Sequence, residues 1–527
     1  IMAQPAQLTL SPSGGEDDAP ALRAAIARCQ AERIPKLVLA PGVYQLHPSG
    51  QAPHHTWCAF LNGVSDLTVS GPGATLLVHG VSGAFILAGC HNVTFEGLTL
   101  DYPRPAQSVG TVIASSEKSF EVEVLPEYPV VGGEPVEAYM DFDPATKLPR
   151  RRGVDNYYGV ERTELVRPQV LRVHLRHGQS PPVGVLVALR HSVYGPGGWY
   201  ADNSSNLTYR DLTIYSVPGM GFIAGHCRDV TLERCRVLLK PGTSRLVSAS
   251  ADGSHFGGCQ GTVTVTDCEF EGMGDDAVNI KSGLYLSVRE KVDEHTLVTQ
   301  HNLKMVDVPG VGDTLELSHA DTLIPYASLT VAKVELGPAP EHLHRVTLRE
   351  PLPAELAMGD VLGNATRAPR VRIRGVQVRR NRARGFLIQS RDCVIEDCTF
   401  RDVTGGGVWV MTEVVHFFES IGTRDVVVRR CTFDNVGYGA ALGDGVLGAF
   451  ALLKNFGIPP KPGVHHNITF EDNVIRGSDN AGIWCNGVAG LTLRRNTITD
   501  VCRQPTRAET RQPVVVMNCS EVTRDDQ

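Results

Sequence analysis

Aromatic residues are scarce in this chain, 6% of 527. No uninterrupted apolar run is long enough to cross a bilayer, which argues against a helical membrane protein. There is no CxxC pair and hence no usual zinc spacing. Positive charge is not in excess either: 50 Lys and Arg stand against 57 Asp and Glu, a net charge of -7, so the chain carries no electrostatic footprint for a nucleic acid. Thirteen cysteines, an odd number in a chain this long, read as buried thiols rather than a disulfide framework. Glycine and proline are abundant, 54 and 33 residues, and fit many short strands joined by tight turns.

Those strands repeat. A short phrase of a turn residue, alternating Val/Thr/Leu positions and a polar pair begins at Asp66 (DLTVSG), Asn92 (NVTFEG), Asn206 (NLTYRD), Asp229 (DVTLER) and Thr262 (TVTVTD). It returns at Arg370 (RVRIRG), Asp392 (DCVIED), Asp425 (DVVVRR), Asn467 (NITFED) and Gly490 (GLTLRR). Most start-to-start gaps lie between 22 and 33 residues, one coil of a solenoid. With period-two alternation inside each coil, the spacing predicts an all-β, right-handed parallel β-helix. Cys235, Cys268, Cys398 and Cys431 each fall six residues after a phrase start and should stack at one inward corner. Gly14 to Asp18 followed by Ala21 to Ala27 reads as an N-capped helix that would plug the open end of the stack.

Two gaps exceed 100 residues and must hold insertions, whose own alternating patterns (Phe120 to Val124, Arg345 to Arg349) predict two small antiparallel β-barrels. The expected organisation is 1–101 solenoid with its capping helix, 102–195 first insertion, 196–283 catalytic coils, 284–368 second insertion, and 369–527 C-terminal coils.

Counting thirteen residues from a phrase start reaches a second strand in several coils, and Asp275 stands there after Thr262. Asp252 reaches the same column once ten extra residues in its coil, near Lys240 to Ala249, are subtracted. Adjacent coils lie roughly 4.8 Å apart, so Asp252, Asp275 and Asp276 should meet on one surface. Gly272 and Gly274 offer a bulge or turn that lets both members of the Asp275-Asp276 pair face outward. Carboxylates crowded in a cleft push each other's pKa values apart, so one can hold a proton while another is ionised, as glycosidic cleavage requires. Trp409 and Trp484 stand seventeen residues past their phrase starts, joined by Phe256 after the same subtraction, and are either a sugar-stacking platform or a stacked core. His255 either donates to a sugar hydroxyl or satisfies a turn.

An Asp one coil before a Gly-x-Asp-Asp segment resembles the polygalacturonases of glycoside hydrolase family 28, and the N-terminal helix phrase resembles the start of pectin-degrading, pectin-lyase-like β-helix enzymes. The chain is more similar to family 110, the exo-acting α-1,3-galactosidases of blood group B and related glycans. The matching residues are Asp252 to Phe256, Gly274 to Asn279, Asp101 to Arg104, Arg190 to Tyr194 and Phe418 to Ser420. That resemblance implies an inverting hydrolysis without metal or other cofactor, in which Asp275 protonates the leaving oxygen while Asp252 and Asp276 activate a water. It also implies substrate contacts from His255, Arg190, His191, Asn279, Trp409, Glu419 and Trp484. The expected partner is an oligosaccharide or glycoconjugate with terminal α-galactose, with no nucleic acid or membrane partner. A homodimer is among the assembly states the sequence leaves open.

Two other readings compete. Arg372, Arg374, Arg379, Arg380, Arg382 and Arg384 could pair with uronate carboxylates of an acidic polysaccharide. A solenoid can also bind carbohydrate without cleaving it. No signal peptide is recognisable and the opening Ile1-Met2-Ala3 reads as an expression junction. A periplasmic or secreted location is therefore an expectation from function.

Overall fold

The computed structural model describes residues 6–49, 51–52, 55–301, 307–439, 445–455 and 457–525; the opening Ile1-Met2-Ala3 lies outside them. Three long parallel sheets of 13, 11 and 12 strands run the length of the molecule, each adding one strand per coil. This is a parallel β-helix. All ten recurring phrases lie on the 13-stranded sheet, in unbroken register from Ser65–Ser70 through Val488–Arg494. Their opening Asn and Asp residues are chemically apt, because Asp66, Asn92, Asn206, Asp229, Asp392, Asp425 and Asn467 all adopt left-handed φ near +55°. Side chains of Asn and Asp tolerate that conformation better than other non-glycine residues.

The interior is one continuous apolar core in which Val, Ile, Leu and Phe from successive coils stack. Phe386, Phe400 and Phe433 are neighbours there, the last two stacked at 4.7 Å. Cys235, Cys268, Cys398 and Cys431 are fully buried, and all thirteen cysteines are free thiols. The helix Ala19–Glu32 turns Leu22, Ala25, Ile26 and Cys29 onto the first coil. Asp18 precedes it, but its carboxylate accepts from Ser13 and Gln45 backbone N–H groups (2.7 and 2.9 Å) and so ties the helix to the strand Gly42–Leu46 instead of capping the first turn.

The insertions differ from one another. Six strands between Leu286 and Asn364 form a closed barrel with its own core. Residues 107–190 form an open seven-stranded antiparallel sheet rather than the expected barrel, running from the edge strand Asp155–Tyr157 to the other edge, Val160–Arg167. The first of these edges stays unclosed because it docks on the solenoid: Tyr157 donates to Gly274 O (3.0 Å), and Arg382 Nε donates to Asp155 Oδ2 (2.8 Å).

Candidate active site

Three turns lie side by side where successive coils enter the 12-stranded sheet. Gly274 N–H donates to Ala249 O (2.8 Å), Gly253 N–H to Asp276 O (2.9 Å) and Ala277 N–H to Gly385 O (3.1 Å). The first turn carries Asp252, the second Asp275 and Asp276, the third Arg382 and Arg384. Because the aspartates stand on turns ahead of the strands Ser254–Gly257 and Val278–Lys281, the alternation of strand faces does not separate Asp275 from Asp276. Gly272 has φ +71°, and a Cβ on Gly274 would fall 2.3 Å from Ser250 O and 2.4 Å from Arg190 Nη1.

The trio converges: one carboxylate oxygen of each lies within 4.8 Å of one from each of the others. Register corrects the expected column by one residue. Ser254 pairs with Val278, so Asp252 stands opposite Asp276 rather than Asp275, and its coil carries nine extra residues, not ten. The same correction separates the aromatics. His255, Asn279, Leu387, Trp409, Gly448 and Trp484 form one ladder, while Phe256 aligns with Ile280, Ile388 and Val410 in the solenoid core.

Each carboxylate has a different environment. Asp275 accepts from the Tyr194 hydroxyl (2.9 Å) at Oδ2 and from Arg382 Nη1 (3.1 Å) at Oδ1. Asp276 receives Arg384 in a fork, Nε at 2.7 Å and Nη2 at 3.0 Å, with the Arg384 backbone N–H at 3.2 Å. Among the described residues Asp252 makes no direct ion pair with Lys or Arg: its Oδ2 lies 2.7 Å from His255 Nδ1. Burial, reinforced by the Asp275 charge, pushes the Asp252 carboxyl well above its ordinary range. Burial also raises Asp276, to about 7, with Arg384 pulling it back and Asp275 and Asp252 pushing it up. Burial, helped by Lys281, lowers His255 to about 4, so the imidazole is neutral at physiological pH.

Glu419 belongs to this neighbourhood. Lys281 Nζ lies 3.1 Å from its Oε1, both side chains buried. Burial alone would raise the Glu419 carboxyl, but the charge and hydrogen bond of Lys281, with the charge of Arg384, outweigh it and hold it below the ordinary carboxylate range. The preceding loop is organised by Glu413, whose carboxylate accepts the backbone N–H groups of Val415, His416 and Phe417 at 2.6 to 2.7 Å. Asn279 lies beside Asp276, its Nδ2 3.4 Å from Oδ2.

Four expected substrate contacts are placed elsewhere. Arg190 is fully buried and donates from Nη1 to Ser250 O (2.8 Å), Gly274 O (2.9 Å) and Tyr157 Oη (3.1 Å), so it braces two turns instead of facing the cleft. His191 sits in the first insertion with both ring nitrogens engaged, Nε2 with Ser108 Oγ and Nδ1 with Pro135 O, each at 2.7 Å. Trp409 and Trp484 are packed edge-on against Phe450 and are 3% and 6% exposed, leaving no open face for a sugar. The arginine-rich coil is no anion stripe: Arg372 meets Asp392, Arg374 Asp397, Arg379 Glu269 and Arg380 Glu271, besides the two arginines on the aspartates.

Among the described residues, the three aspartates are the one group of His, Cys, Asp and Glu close enough together to ligate a cation. Two guanidinium groups already stand against them. The arrangement suits proton exchange between a bound molecule and a water at the trio.

Tyr157 and Lys281 complete the site without having been named from sequence, Tyr194 was named only as the end of a matching stretch, and Arg382 and Arg384 only as partners for uronate carboxylates rather than for the aspartates. A signal existed for two of them, since thirteen residues past Arg370 falls on Ala383, between Arg382 and Arg384.

No protein-family model matches the chain. Sequence relatives exist nonetheless. A protein named alpha-1,3-galactosidase A from Bacteroides fragilis is 27% identical over 512 residues, covering 90% of this chain and 84% of its own. The chain is similar to proteins named alpha-1,3-galactosidase. A second protein of that name, from Bacteroides thetaiotaomicron, is 26% identical over 487 residues, covering 88% and 82%. Among solved structures, the A-module of the mannuronan C-5 epimerase AlgE4 of Azotobacter vinelandii aligns over 97% of both chains with a TM-score of 0.45 and 12% identity.

Proposed function

We propose that this protein is an exo-acting glycoside hydrolase, an α-1,3-galactosidase that releases terminal galactose from blood group B-type or linear α-galactosyl glycans with inversion and without a metal. The observation that carries the reading is the gathering of Asp252, Asp275 and Asp276 on one row of turns, in a chain similar over nine-tenths of its length to proteins of that name. The polyuronide alternative loses its support, because the arginines it invoked are paired with the protein's own carboxylates. Glycans of this kind lie outside cells, and a periplasmic or secreted location is part of the proposal.

Asp275 is the acid in this scheme. Its side chain is 12% exposed against 4% and 1% for Asp252 and Asp276, which leaves it best placed to meet a glycosidic oxygen. Two carboxylate oxygens no more than 4.8 Å apart can share one water at the usual hydrogen-bond distance of about 2.8 Å, so Asp252 and Asp276 hold and deprotonate the nucleophile. Three carboxylates facing two guanidiniums leave one negative charge in excess, and a single proton shared by the trio neutralises it.

Inverting enzymes usually set acid and base about 6.5–9.5 Å apart, and this cluster is tighter, so the first-formed anomer is the decisive readout. The test is galactose release from the blood group B trisaccharide and from α-1,3-galactobiose, in EDTA, followed by NMR of the new anomer. β-Galactose appearing first supports inversion, and α-galactose first refutes it. Asp275→Asn should lower kcat by about 10³-fold; wild-type turnover would remove Asp275 from the acid role.

A further inference from the structure

We infer that the first insertion supplies the leaving-group side of the cleft: Tyr194 and Tyr158 form an aromatic platform for a neutral pyranose, the sugar released when the terminal residue is cut. This rests on the glycosidase reading above.

Open aromatic surface is rare in this molecule. Among the described residues, the large apolar side chains with substantial exposure include just three aromatics, Tyr158 at 53%, Tyr194 at 40% and Phe417 at 51%. Two of the three come from the insertion, on the side of Asp275. Tyr194 is pinned by its tip, the hydroxyl donating to Asp275 Oδ2 at 2.9 Å, while much of its ring stays open. Tyr158 is fixed through its backbone. Its N–H donates to Glu137 O at 2.6 Å, and the Glu137 carboxylate accepts the Val193 N–H at 2.7 Å, next to Tyr194. One residue thus holds both tyrosines.

The platform has a rigid backing. Tyr157 lies beside Tyr158 with ring centroids 6.0 Å apart, and Arg190 and Arg382 each stand 4.6 Å from the Tyr157 ring. Burial raises the Tyr158 phenol, with the charges of Glu137 and, more weakly, Asp275 acting in the same direction, which agrees with its place near the acid. A pyranose presents an apolar C–H face that packs on aromatic rings. Rings beside the group that protonates the departing oxygen contact the sugar attached through that oxygen. The ladder tryptophans, closed off by their own packing, cannot serve there.

The test compares α-1,3-galactobiose with α-galactosyl fluoride, whose small leaving group occupies no sugar site. Tyr158→Ala should lose about tenfold in kcat/KM on galactobiose, and at least about fivefold less on the fluoride. Tyr194→Ala should show a larger galactobiose-specific loss than Tyr194→Phe, which keeps the ring and removes the hydroxyl. Circular dichroism checks that each variant is folded. Equal losses on the two substrates, or no loss on galactobiose, overturn the platform while leaving the hydrolase reading intact. A wild-type protein that cleaves neither substrate overturns the hydrolase reading and the platform with it.

Discussion

At the residue scale the site is defined by unequal neutralisation of three buried carboxylates. Asp276 has its guanidinium partner yet is raised to about 7, because burial and two neighbouring carboxylates outweigh Arg384. As a base, Asp276 must shed its proton before it can take one from water. We therefore expect kcat/KM to rise as pH rises through about 7, read from a pH–rate profile on galactobiose. Stability runs the opposite way. A carboxyl raised in the folded state stabilises fully below its unfolded value of about 3.9 and loses that stabilisation as pH rises through the folded value. Asp252, raised well above its ordinary range without a direct Lys or Arg ion pair, weakens the fold most in alkali. Asp252→Asn should melt roughly 1–3 °C above wild type at pH 8, the gap narrowing towards pH 5, while activity is lost. A lower melting temperature at pH 8 would refute this account of Asp252. The aspartates were legible in the sequence because coil spacing alone aligns turns of neighbouring coils. Arg382 and Arg384 were harder to read: they follow Asp276 by more than 100 residues, on the far side of an inserted barrel, and charge along a strand carries no sign of its partner.

At the element scale, the unit that matters is the row of turns and the brace behind it. Arg190 comes from the last strand of the first insertion, Leu186–Arg190, and joins Ser250 O to Gly274 O across two coils. All of its hydrogen bonds leave from the one nitrogen, Nη1, so an apolar side chain of similar length removes the donor of both carbonyls. Arg190→Met should cost about 2–3 kcal/mol of stability by leaving the buried carbonyls unpaired. It should also lower kcat/KM by about tenfold or more as the Asp252 and Asp275 turns drift apart. Thermal unfolding and steady-state kinetics measure the two; unchanged kinetics would show that the turns hold their spacing unaided. The same row shows the limit of counting. Phrase starts fall on the 13-stranded sheet where Asn and Asp take a left-handed turn, so that sheet could be read directly. The 12-stranded sheet lies beyond loops of varying length, and subtracting one residue too many between Asp229 and Ser254 shifted the expected place of Asp252 by a position and put Phe256 in the outward row when it belongs to the core.

At the scale of the whole molecule, three hydrophobic cores are largely independent: the solenoid, the first inserted sheet and the second inserted barrel. The solenoid supplies the aspartates, whereas the first insertion supplies Tyr194, Tyr157, Arg190 and Asp155, all directed at the Asp275 turn or at the arginine beside it. That division was invisible in sequence, since alternating strand patterns identify an insertion without saying which edge it presents to its host. It leads to a separation of folding from function. Replacing residues 104–194 with a short glycine-rich linker leaves the solenoid core intact, but exposes Leu246 and Val247, which pack into the insertion's core. The shortened protein should keep its β-sheet circular dichroism and a cooperative melt, at a lower temperature for the loss of that apolar burial. Galactose release should fall by about 10³-fold or more, because Asp275 keeps Arg382 but loses its Tyr194 donor, while Arg382 loses Asp155. An unfolded product would mean that the coils depend on the insertion for stability. A folded and fully active one would mean that the solenoid aspartates organise themselves, and that the insertion serves neither the acid nor the leaving group.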